Sequence, residues 1–511
     1  MAALKDAEAI TFAQLPSSIL NQETQLKRDL AFYQRKLYEE KNKSKPDSLK
    51  MSTWKQFVFD LKREQEELQT HLKSNYNDYF ELQYHASTTT IPQIQQELLS
   101  SNKALLEYFV GDSTIYVFAL TQNNTQIHTI PKTPHFLENI ANLQQALNTP
   151  PIKTVNKQAA YQEYVQAAHF LYQQLLAPSI KLFSDEIQEL TLVADGILGY
   201  IPFETLLTAL PHSSKPNYTL QNLNYLLSDY SINYAYSTNL LLAANKMTSK
   251  QTQETFGGFA PQFASDMFAE NRDCLGEDLA NLAHNQAEIE GIQEQIGGLT
   301  FVDTTANSQF FMEQADQYKI LHLATHACVN DEDPLFSKIF FSDTYLALAD
   351  IYNLRLNADL VVLSACNTGT GKLVNGEGIM SLSRGFMYAN CPSVVTSLWQ
   401  VSDRIAGDLM ASFYQNLQNG FSKSEALRQA KLTHLQNSTN KFAAPYYWAA
   451  FVQLGNSQPI FKRNNWWFWS LIGVCFLVGI GLFFKYHKSA AIVLSSKAIF
   501  EQGKETLITD L

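Results

Sequence analysis

The chain has 511 residues, of which 45% are hydrophobic and 12% are aromatic. This length exceeds that of one ordinary domain, and the composition is too apolar for a wholly disordered chain. The formal net charge of −11 at pH 7 argues against sequence-independent binding of nucleic acid, which requires a basic surface. We therefore expect two or three folded units and no nucleic-acid partner.

The cysteines are far apart, and no two of them form a Cys-x-x-Cys pair. The set consists of Cys274, Cys328, Cys366, Cys391 and Cys475. An odd and sparse set fits neither a disulfide framework nor a zinc site. We expect reduced thiols and no metal or other cofactor.

Residues 1–85 are polar and rich in Lys, Glu and Gln, with apolar residues at three- and four-residue spacing. This spacing predicts two amphipathic helices, separated by a turn at KSKPDS (residues 43–48). We interpret the segment as a solvated helical spacer. The alternative is a docking surface for helical repeats or for a partner protein.

Short apolar runs alternate with helical patterns from about residue 92 onwards. Residues 103–130 predict a hairpin or meander. Buried strands are predicted in QYKILHLATHACVN (317–330), ADLVVLSACNTG (358–369) and CPSVVTSLWQV (391–401), and helices in GEGIMSLSRGFMYA (376–389) and DRIAGDLMASFYQNLQ (403–418). Continuous apolar strands between helices are typical of a mostly parallel α/β sheet.

Two of these strands end on reactive residues, His326 and Cys366. Functional groups of open parallel sheets lie at the carboxyl ends of the strands. If the two strands are neighbours, the imidazole can activate the thiol as a nucleophile, and backbone N–H groups beyond the strands can bind an oxyanion. A lone Cys at a strand end is usually a small buried hydrophobe. Two strand ends with reactive residues, the histidine before the cysteine, favour a catalytic pair. His322, within the first of these strands, is interpreted as a core residue.

The stretch LVVLSACNTGTGK (360–372) raises a second possibility, a phosphate-binding loop. That pattern requires Gly, four residues and then Gly-Lys-Ser/Thr. Cys366 occupies the position of the first Gly, and Leu373 follows Lys372 in place of a hydroxyl residue. Because both ends of the pattern fail, we reject nucleotide binding.

Trp466 to Phe484 form an uncharged apolar run that begins with three tryptophans and has basic residues on both sides. Such a run predicts a transmembrane helix (466–484), followed by a short tail (485–511). The N-terminus lacks the pattern of a signal peptide. The sequence therefore predicts a single-pass membrane protein, anchored near its C-terminus, with a cytoplasmic catalytic domain.

Several stretches resemble the CHAT family, caspase-like cysteine peptidases of the clan CD type that are often found beside tetratricopeptide repeats. The resemblance covers about residues 90–456 and predicts a domain at 86–457. It is carried by LLEYFVGDSTIYVFALT, LVADGILGYIPFETLL, AEIEGI, ILHLATHA, LVVLSACNTGTG, GEGIMSLSRGFMYANCPSVVTSLWQVSD and PYYWAAFVQLG. It implies a caspase-like fold with an N-terminal helical segment.

The same resemblance assigns the catalytic dyad to His326 and Cys366, with the backbone N–H groups of Ala327 and Cys366 as the oxyanion hole. It implies hydrolysis of a peptide bond through an acyl-enzyme. Caspase-like enzymes often have Gly after the histidine, where this chain has Ala327. Alanine is a small change and keeps the backbone N–H.

The resemblance also suggests where a substrate binds. An extended peptide would pair along SVVTSLWQV (393–401), which includes Ser397, by β-augmentation. Trp399 would line the primary specificity pocket, unless it belongs to the core. Asp403 and Glu377 are candidate carboxylates for a basic P1 residue, unless they cap helix N-termini.

The sequence thus predicts a membrane-tethered, caspase-like cysteine endopeptidase that cleaves a protein substrate. The resemblance implies activation by a partner in a signalling or defence pathway, with the N-terminal helices as the contact. The alternative is a catalytically silent scaffold of the same fold that assembles proteins at a membrane.

Overall fold

A computed structural model describes residues 17–41, 43, 45–76, 89–211, 219–247, 251–263, 282–330, 333–364, 369, 371–374, 378–462 and 480. The chain divides into two units, residues 1–461 and residues 462–511. Only Lys462 and Ile480 are described in the second unit.

Helices occur from the N-terminal segment to the end of the first unit. Their bounds are α1 (Ser17–Lys41), α2 (Ser48–Asn75), α3 (Ile91–Glu97), α4 (Pro134–Asn148), α5 (Lys157–Leu175), α6 (Ala177–Ile180), α7 (Leu226–Asp229), α8 (Thr238–Lys246), α9 (Asn285–Ile296), α10 (Ser308–Gln314), α11 (Leu348–Ile351), α12 (Leu382–Tyr388), α13 (Asp403–Gln418), α14 (Lys423–Asn437) and α15 (Pro445–Trp448).

Strands are interspersed with these helices. Their bounds are β1 (Lys103–Val110), β2 (Thr114–Thr121), β3 (Thr125–Pro131), β4 (Glu189–Val193), β5 (Ser231–Ala235), β6 (Glu254–Ala260), β7 (Leu299–Val302), β8 (Tyr318–Leu323), β9 (Ala327–Cys328), β10 (Lys338–Phe340), β11 (Tyr345–Ala347), β12 (Leu360–Leu363), β13 (Gly371–Val374), β14 (Gly378–Ser381), β15 (Ser393–Ser397) and β16 (Phe451–Gly455).

The described strands form one large sheet of eleven strands, in the order β3-β2-β1-β4-β5-β16-β15-β12-β8-β6-β7. Neighbours are parallel except at β3–β2, β2–β1 and β16–β15. The prediction of a mostly parallel α/β sheet is confirmed, as is the meander of β1–β3. Because β15 and β16 are antiparallel, the two halves of the sheet run in opposite directions. The carboxyl ends of β8, β12 and β15 therefore lie at one edge, and those of β1, β4 and β5 lie at the opposite edge.

Burial explains why the central strands are largely apolar. Every residue of β4, β5, β12, β15 and β16 is buried, because each strand has a neighbour on both sides and side chains packed on both faces. Strand β2, nearer the edge of the sheet, has a mixed pattern of burial. The large sheet thus supplies a rigid platform beneath the predicted site.

The N-terminal segment forms the two predicted helices, α1 and α2. Asp47, in the predicted turn, caps α2 by accepting hydrogen bonds from the N–H groups of Leu49 and Lys50. Few side chains of this hairpin are buried, among them Leu26, Leu68 and Leu72. Its polar surface agrees with the low apolar content of the sequence.

The predicted transmembrane helix is contradicted. Apart from Ile480, residues 466–484 lie outside the described residues. Within the described ranges, no helix is both long enough and apolar enough to cross a membrane. The longest ones, α1 and α2 with 25 and 28 residues, carry many Lys, Glu and Gln side chains. An uncharged run in a sequence does not by itself establish a membrane span. Because no described helix meets the requirements for one, the predicted single-pass membrane localisation is wrong.

Candidate functional site

The two strands that precede the predicted dyad are direct neighbours. β8 and β12 are parallel, with Leu323 opposite Leu363, and the N–H of Ser364 donates to the carbonyl of Leu323 at 3.0 Å. His326 and Cys366 each follow their paired leucine by three positions. The register therefore brings the carboxyl ends of β8 and β12, at Leu323 and Leu363, to the same edge of the sheet. Cys366 itself lies outside the described residues, so its pairing with His326 remains a prediction.

The turn that carries His326 is held by hydrogen bonds. The N–H of Ala324 donates to the carbonyl of Phe259 at 2.9 Å, and the N–H of Phe340 donates to the carbonyl of His326 at 3.0 Å. The hydroxyl of Thr325 donates to the carbonyl of Phe340 at 2.7 Å. The half-buried imidazole lies 5.5 Å from the ring of Phe263, between centroids. The backbone beneath the imidazole is thus fixed on both sides.

A buried asparagine, Asn285, supports the same turn. Its side-chain amide lies 3.3 Å from the carbonyl oxygens of Ala324 and Pro261, and only 2% of its surface is exposed. Asn285 was not predicted from the sequence, because one asparagine at the start of a helix carries no pattern of its own. Its role depends on the packing of α9 against β6 and β8.

Ala327, predicted to contribute to the oxyanion hole, lies in β9. This strand forms an edge of a three-stranded sheet, β11-β10-β9, in which Ala327 is opposite Ile339. The N–H of Phe340 donates to the carbonyl of His326, so His326 and Phe340 form the neighbouring hydrogen-bonded pair of the ladder. Alternate residues of antiparallel strands point their N–H groups in opposite directions, so the N–H of Ala327 is directed away from β10.

Trp399 and Ser397, predicted to bind substrate, are both buried. The indole N–H of Trp399 donates to the carbonyl of Tyr446 at 2.8 Å, and the ring is part of the main hydrophobic core. Strand β15 pairs with β12 on one side and with β16 on the other. The prediction that a substrate pairs along β15 is therefore wrong for Ser393–Ser397, because both edges of this stretch are already occupied.

Asp403, the predicted acidic candidate, is the first residue of α13. Its carboxylate accepts a hydrogen bond from the N–H of His284 at 2.8 Å. Burial, together with the charge of Glu288, raises the pKa of Asp403, although the bond from His284 and the charges of His284 and His326 oppose this. Asp403 is thus within electrostatic reach of His326. Glu377, the other acidic candidate, lies outside the described residues.

His322 is a core residue, as interpreted from the sequence. It is fully buried in β8, with Nε2 3.0 Å from Glu288 Oε1 and Nδ1 3.0 Å from the hydroxyl of Tyr414. These contacts join β8 to α9 and α13. Because its partners are also buried, we assign it a structural role.

The cysteines differ in their chemistry. Cys328 is disulfide-bonded, which contradicts the expectation of uniformly reduced thiols. Cys391 is free and buried. Burial raises the pKa of its thiol to about 12, so Cys391 is a poor nucleophile near neutral pH.

Lys372 lies in β13, which pairs with β14 as an antiparallel hairpin. The prediction of a helix throughout residues 376–389 is therefore wrong at its start, because Gly378–Ser381 form β14 before α12 begins. A phosphate-loop lysine opens a helix. A lysine in a hairpin strand is consistent with our rejection of nucleotide binding.

Gly369, three residues after Cys366, is anchored to the end of β15. Its N–H donates to the carbonyl of Ser397 at 2.8 Å. A Cβ atom at this position would lie 2.9 Å from Thr396 Cγ2 and 3.2 Å from Leu398 Cδ2. Glycine therefore allows the chain to approach β15 this closely.

We expect Gly369→Ala to lower the free energy of unfolding by about 1–3 kcal/mol, because the methyl group overpacks this contact. Urea unfolding measures the change. The control is Gly291→Ala in α9, where a Cβ would meet nothing within 4 Å and alanine should stabilise the helix by about 0.5–1 kcal/mol. Equal stabilities of the two variants would contradict the close approach.

Comparison with known proteins identifies the family. Residues 165–456 match the CHAT domain. The chain belongs to the CHAT domain family. It is 26% identical over 209 residues to human tetratricopeptide repeat protein 28, covering 34% of this chain and 8% of that protein. It is 33% identical over 111 residues to the mouse protein of the same name, covering 22% of this chain and 4% of that protein. This CHAT protein thus matches less than a tenth of the length of these curated relatives.

Solved structures also match this chain, at low sequence identity. The Saccharomyces cerevisiae separase–securin complex matches with a TM-score of 0.42 at 10% identity, covering 85% of this chain and 36% of that chain. The Arg-specific cysteine proteinase gingipain R matches with a TM-score of 0.36 at 9% identity, covering 64% of this chain and 75% of that chain.

Proposed function

We propose that this CHAT protein is a cysteine endopeptidase with His326 and Cys366 as its dyad. The main support is the register of β8 and β12, in which the strands that precede the two residues end side by side at one edge of the sheet. A cysteine nucleophile requires a base within reach and N–H donors for the oxyanion. The fixed turn at His326 and the outward N–H of Ala327 are suited to these roles.

In the proposed reaction, the Cys366 thiolate attacks the scissile carbonyl carbon, and the N–H groups of Ala327 and Cys366 stabilise the oxyanion. Protonated His326 donates its proton to the leaving amine, which departs and leaves an acyl-enzyme. His326 then removes a proton from water, which hydrolyses the thioester. No step requires a metal.

We further propose a protein substrate with a basic P1 residue. The support is the half-buried carboxylate of Asp403, which lies within electrostatic reach of His326. A carboxylate in such a position binds a Lys or Arg side chain by a charge-assisted hydrogen bond. Glu377 remains a second candidate from the sequence.

The decisive experiment maps new N-termini in cells that express the full chain together with candidate partner proteins. We expect cleavage sites in the wild type that disappear in Cys366→Ala and in His326→Ala. The matched control is Cys391→Ser, which removes a buried thiol but keeps a donor toward the carbonyl of Ser393, now 3.0 Å from the sulfur. Cleavage that persists in Cys366→Ala would refute the peptidase.

A second candidate function is a non-catalytic scaffold. It is favoured by the exposed apolar side chains of the helical hairpin, where Leu49 is 78% and Phe59 is 62% exposed. These side chains are suited to binding a protein partner, which in the peptidase would be its activator. Partner capture that requires Leu49 and Phe59, with no cleavage by the wild type in the captured complex, would favour the scaffold.

A further inference from the structure

The C-terminal part of α1 contacts strand β11 of the small sheet β11-β10-β9 and the segment that leads into β10. The ring of Tyr38 stacks on Phe336, with centroids 4.0 Å apart and planes inclined by 11°. The hydroxyl of Tyr345 donates to Glu39 Oε1 at 2.6 Å. We call these two contacts, together with the ion pair between Arg35 and Asp350, the α1 contact.

An ion pair extends the α1 contact to the helix that follows β11. Arg35 Nη1 lies 3.0 Å from Asp350 Oδ2, and the same oxygen accepts a hydrogen bond from the N–H of Ala347 at 3.0 Å. Asp350 thus holds the junction of β11 and α11 while it binds α1. Residues of α1 therefore contact β11 of the small sheet through Tyr345, and the segments that flank the sheet through Phe336 and Asp350.

The charge of Glu39 is favoured in this place. Burial raises the pKa of Glu39, but the hydrogen bond from Tyr345 and the charges of Lys36 and Arg35 outweigh it, so that the pKa is lowered overall. The ammonium group of Lys338, in β10, lies 4.2 Å from the centroid of the Tyr345 ring. Charged groups from both sides thus meet at Tyr345.

The small sheet is joined directly to the backbone of His326. Ile339 of β10 is opposite Ala327, Phe340 N–H donates to the carbonyl of His326, and the hydroxyl of Thr325 donates to the carbonyl of Phe340. Tyr345, which binds Glu39, is paired with Phe340. One strand, β10, therefore separates the elements held by α1 from the histidine.

We propose that Tyr38, together with Glu39 and Arg35, positions His326. The α1 contact holds the small sheet, and the backbone hydrogen bonds of β10 hold the histidine. These residues are positioning residues, because none of them touches the reacting atoms. The inference rests on the proposed peptidase function and gives the N-terminal helices a role in catalysis beyond that of a spacer.

The test compares Tyr38→Ala with Tyr38→Phe and Tyr33→Ala in the full chain. Tyr38→Phe keeps the stacked ring and removes only the hydroxyl, which accepts a hydrogen bond from the side-chain amide of Asn330. Tyr33→Ala removes the same residue type from the same helix, but Tyr33 packs on Phe57 of α2, with centroids 4.7 Å apart. The substrate is a peptide containing a cleavage site mapped by the N-terminus experiment.

We expect Tyr38→Ala to lower kcat about tenfold or more, with KM changed less than about twofold, because a misplaced catalytic group slows the chemical step more than it weakens binding. Amide hydrogen exchange should accelerate at Phe340 and remain unchanged in β12. In Tyr38→Phe and in Tyr33→Ala, both kcat and the exchange rate at Phe340 should stay near their wild-type values.

Two outcomes would overturn the inference. One is unchanged exchange at Phe340 in Tyr38→Ala, and the other is accelerated exchange with an unchanged kcat. Failure of the peptidase itself is recognised separately, by cleavage that survives in Cys366→Ala. If the chain cleaves nothing, the rate at which diethyl pyrocarbonate modifies His326 replaces kcat. A rate equal in the wild type and Tyr38→Ala would then overturn the inference, and a changed rate would support it.

Discussion

Lys431→Met is expected to lower the free energy of unfolding by about 3–5 kcal/mol, because it leaves a buried carboxylate without its cation. Lys431 of α14 forms an ion pair with Glu204, and both side chains are almost fully buried. The hydroxyl of Tyr234 in β5 donates to the same carboxylate. Urea unfolding near neutral pH measures the effect.

Two further measurements test this explanation. Adding Glu204→Gln to Lys431→Met should recover much of the loss, since no unpaired charge remains. Arg63→Met removes one side of an exposed pair with Glu67, 3.7 Å apart, and should change stability little. A deficit as small as that of Arg63→Met would contradict the buried ion pair.

Lys423 should make the stability of the protein rise with pH in the alkaline range. The side chain is buried at the start of α14, with Nζ 3.1 Å from the carbonyl of Asn456. Burial lowers its pKa from 10.5 to about 8, assisted by the charge of Lys319 and opposed by Asp359 and Cys391. Between these two pKa values the unfolded chain binds a proton that the folded chain has released, so unfolding becomes less favourable as pH rises.

The measurement compares wild type and Lys423→Met by urea unfolding at about pH 7 and about pH 9.5. The variant lacks this titration, so its stability relative to wild type should fall by about 2 kcal/mol between these two pH values. The lost hydrogen bond to Asn456 shifts both measurements equally. The control, Lys62→Met, replaces an exposed lysine of α2. Stabilities of wild type and Lys423→Met that change in parallel with pH would refute the buried charge.

Local pattern was sufficient for much of the fold. Helix α13 has the predicted bounds, because its apolar spacing and the preceding loop are both visible in the sequence. Strands β8, β12 and β15 lie within their predicted runs, although each ends earlier than predicted. Apolar runs show that a segment is buried but do not show where its ladder of hydrogen bonds ends.

The strand β14 shows how tertiary pairing overrides a local pattern. The apolar residues of GEGIMS suit a helix or a strand, and pairing with β13 decides for the strand. The antiparallel pairing of β15 and β16 could not be predicted either, because an apolar run has the same pattern in a parallel strand and in an antiparallel strand. Neighbour identity in a sheet is a long-range property, set by the packing of the connecting elements.

The sequence by itself determined the family, the apolar strands and the two reactive residue types, His326 and Cys366, that follow them. Only the tertiary structure decided that β8 and β12 are neighbours in register, that Trp399 is in the core and that both edges of β15 are occupied. It also showed that α1 contacts β11 and the segment before β10, in the small sheet that holds the backbone of His326. The physical reason is that residue chemistry and periodicity are local, whereas burial, pairing and electrostatic reach depend on segments that are distant in the chain.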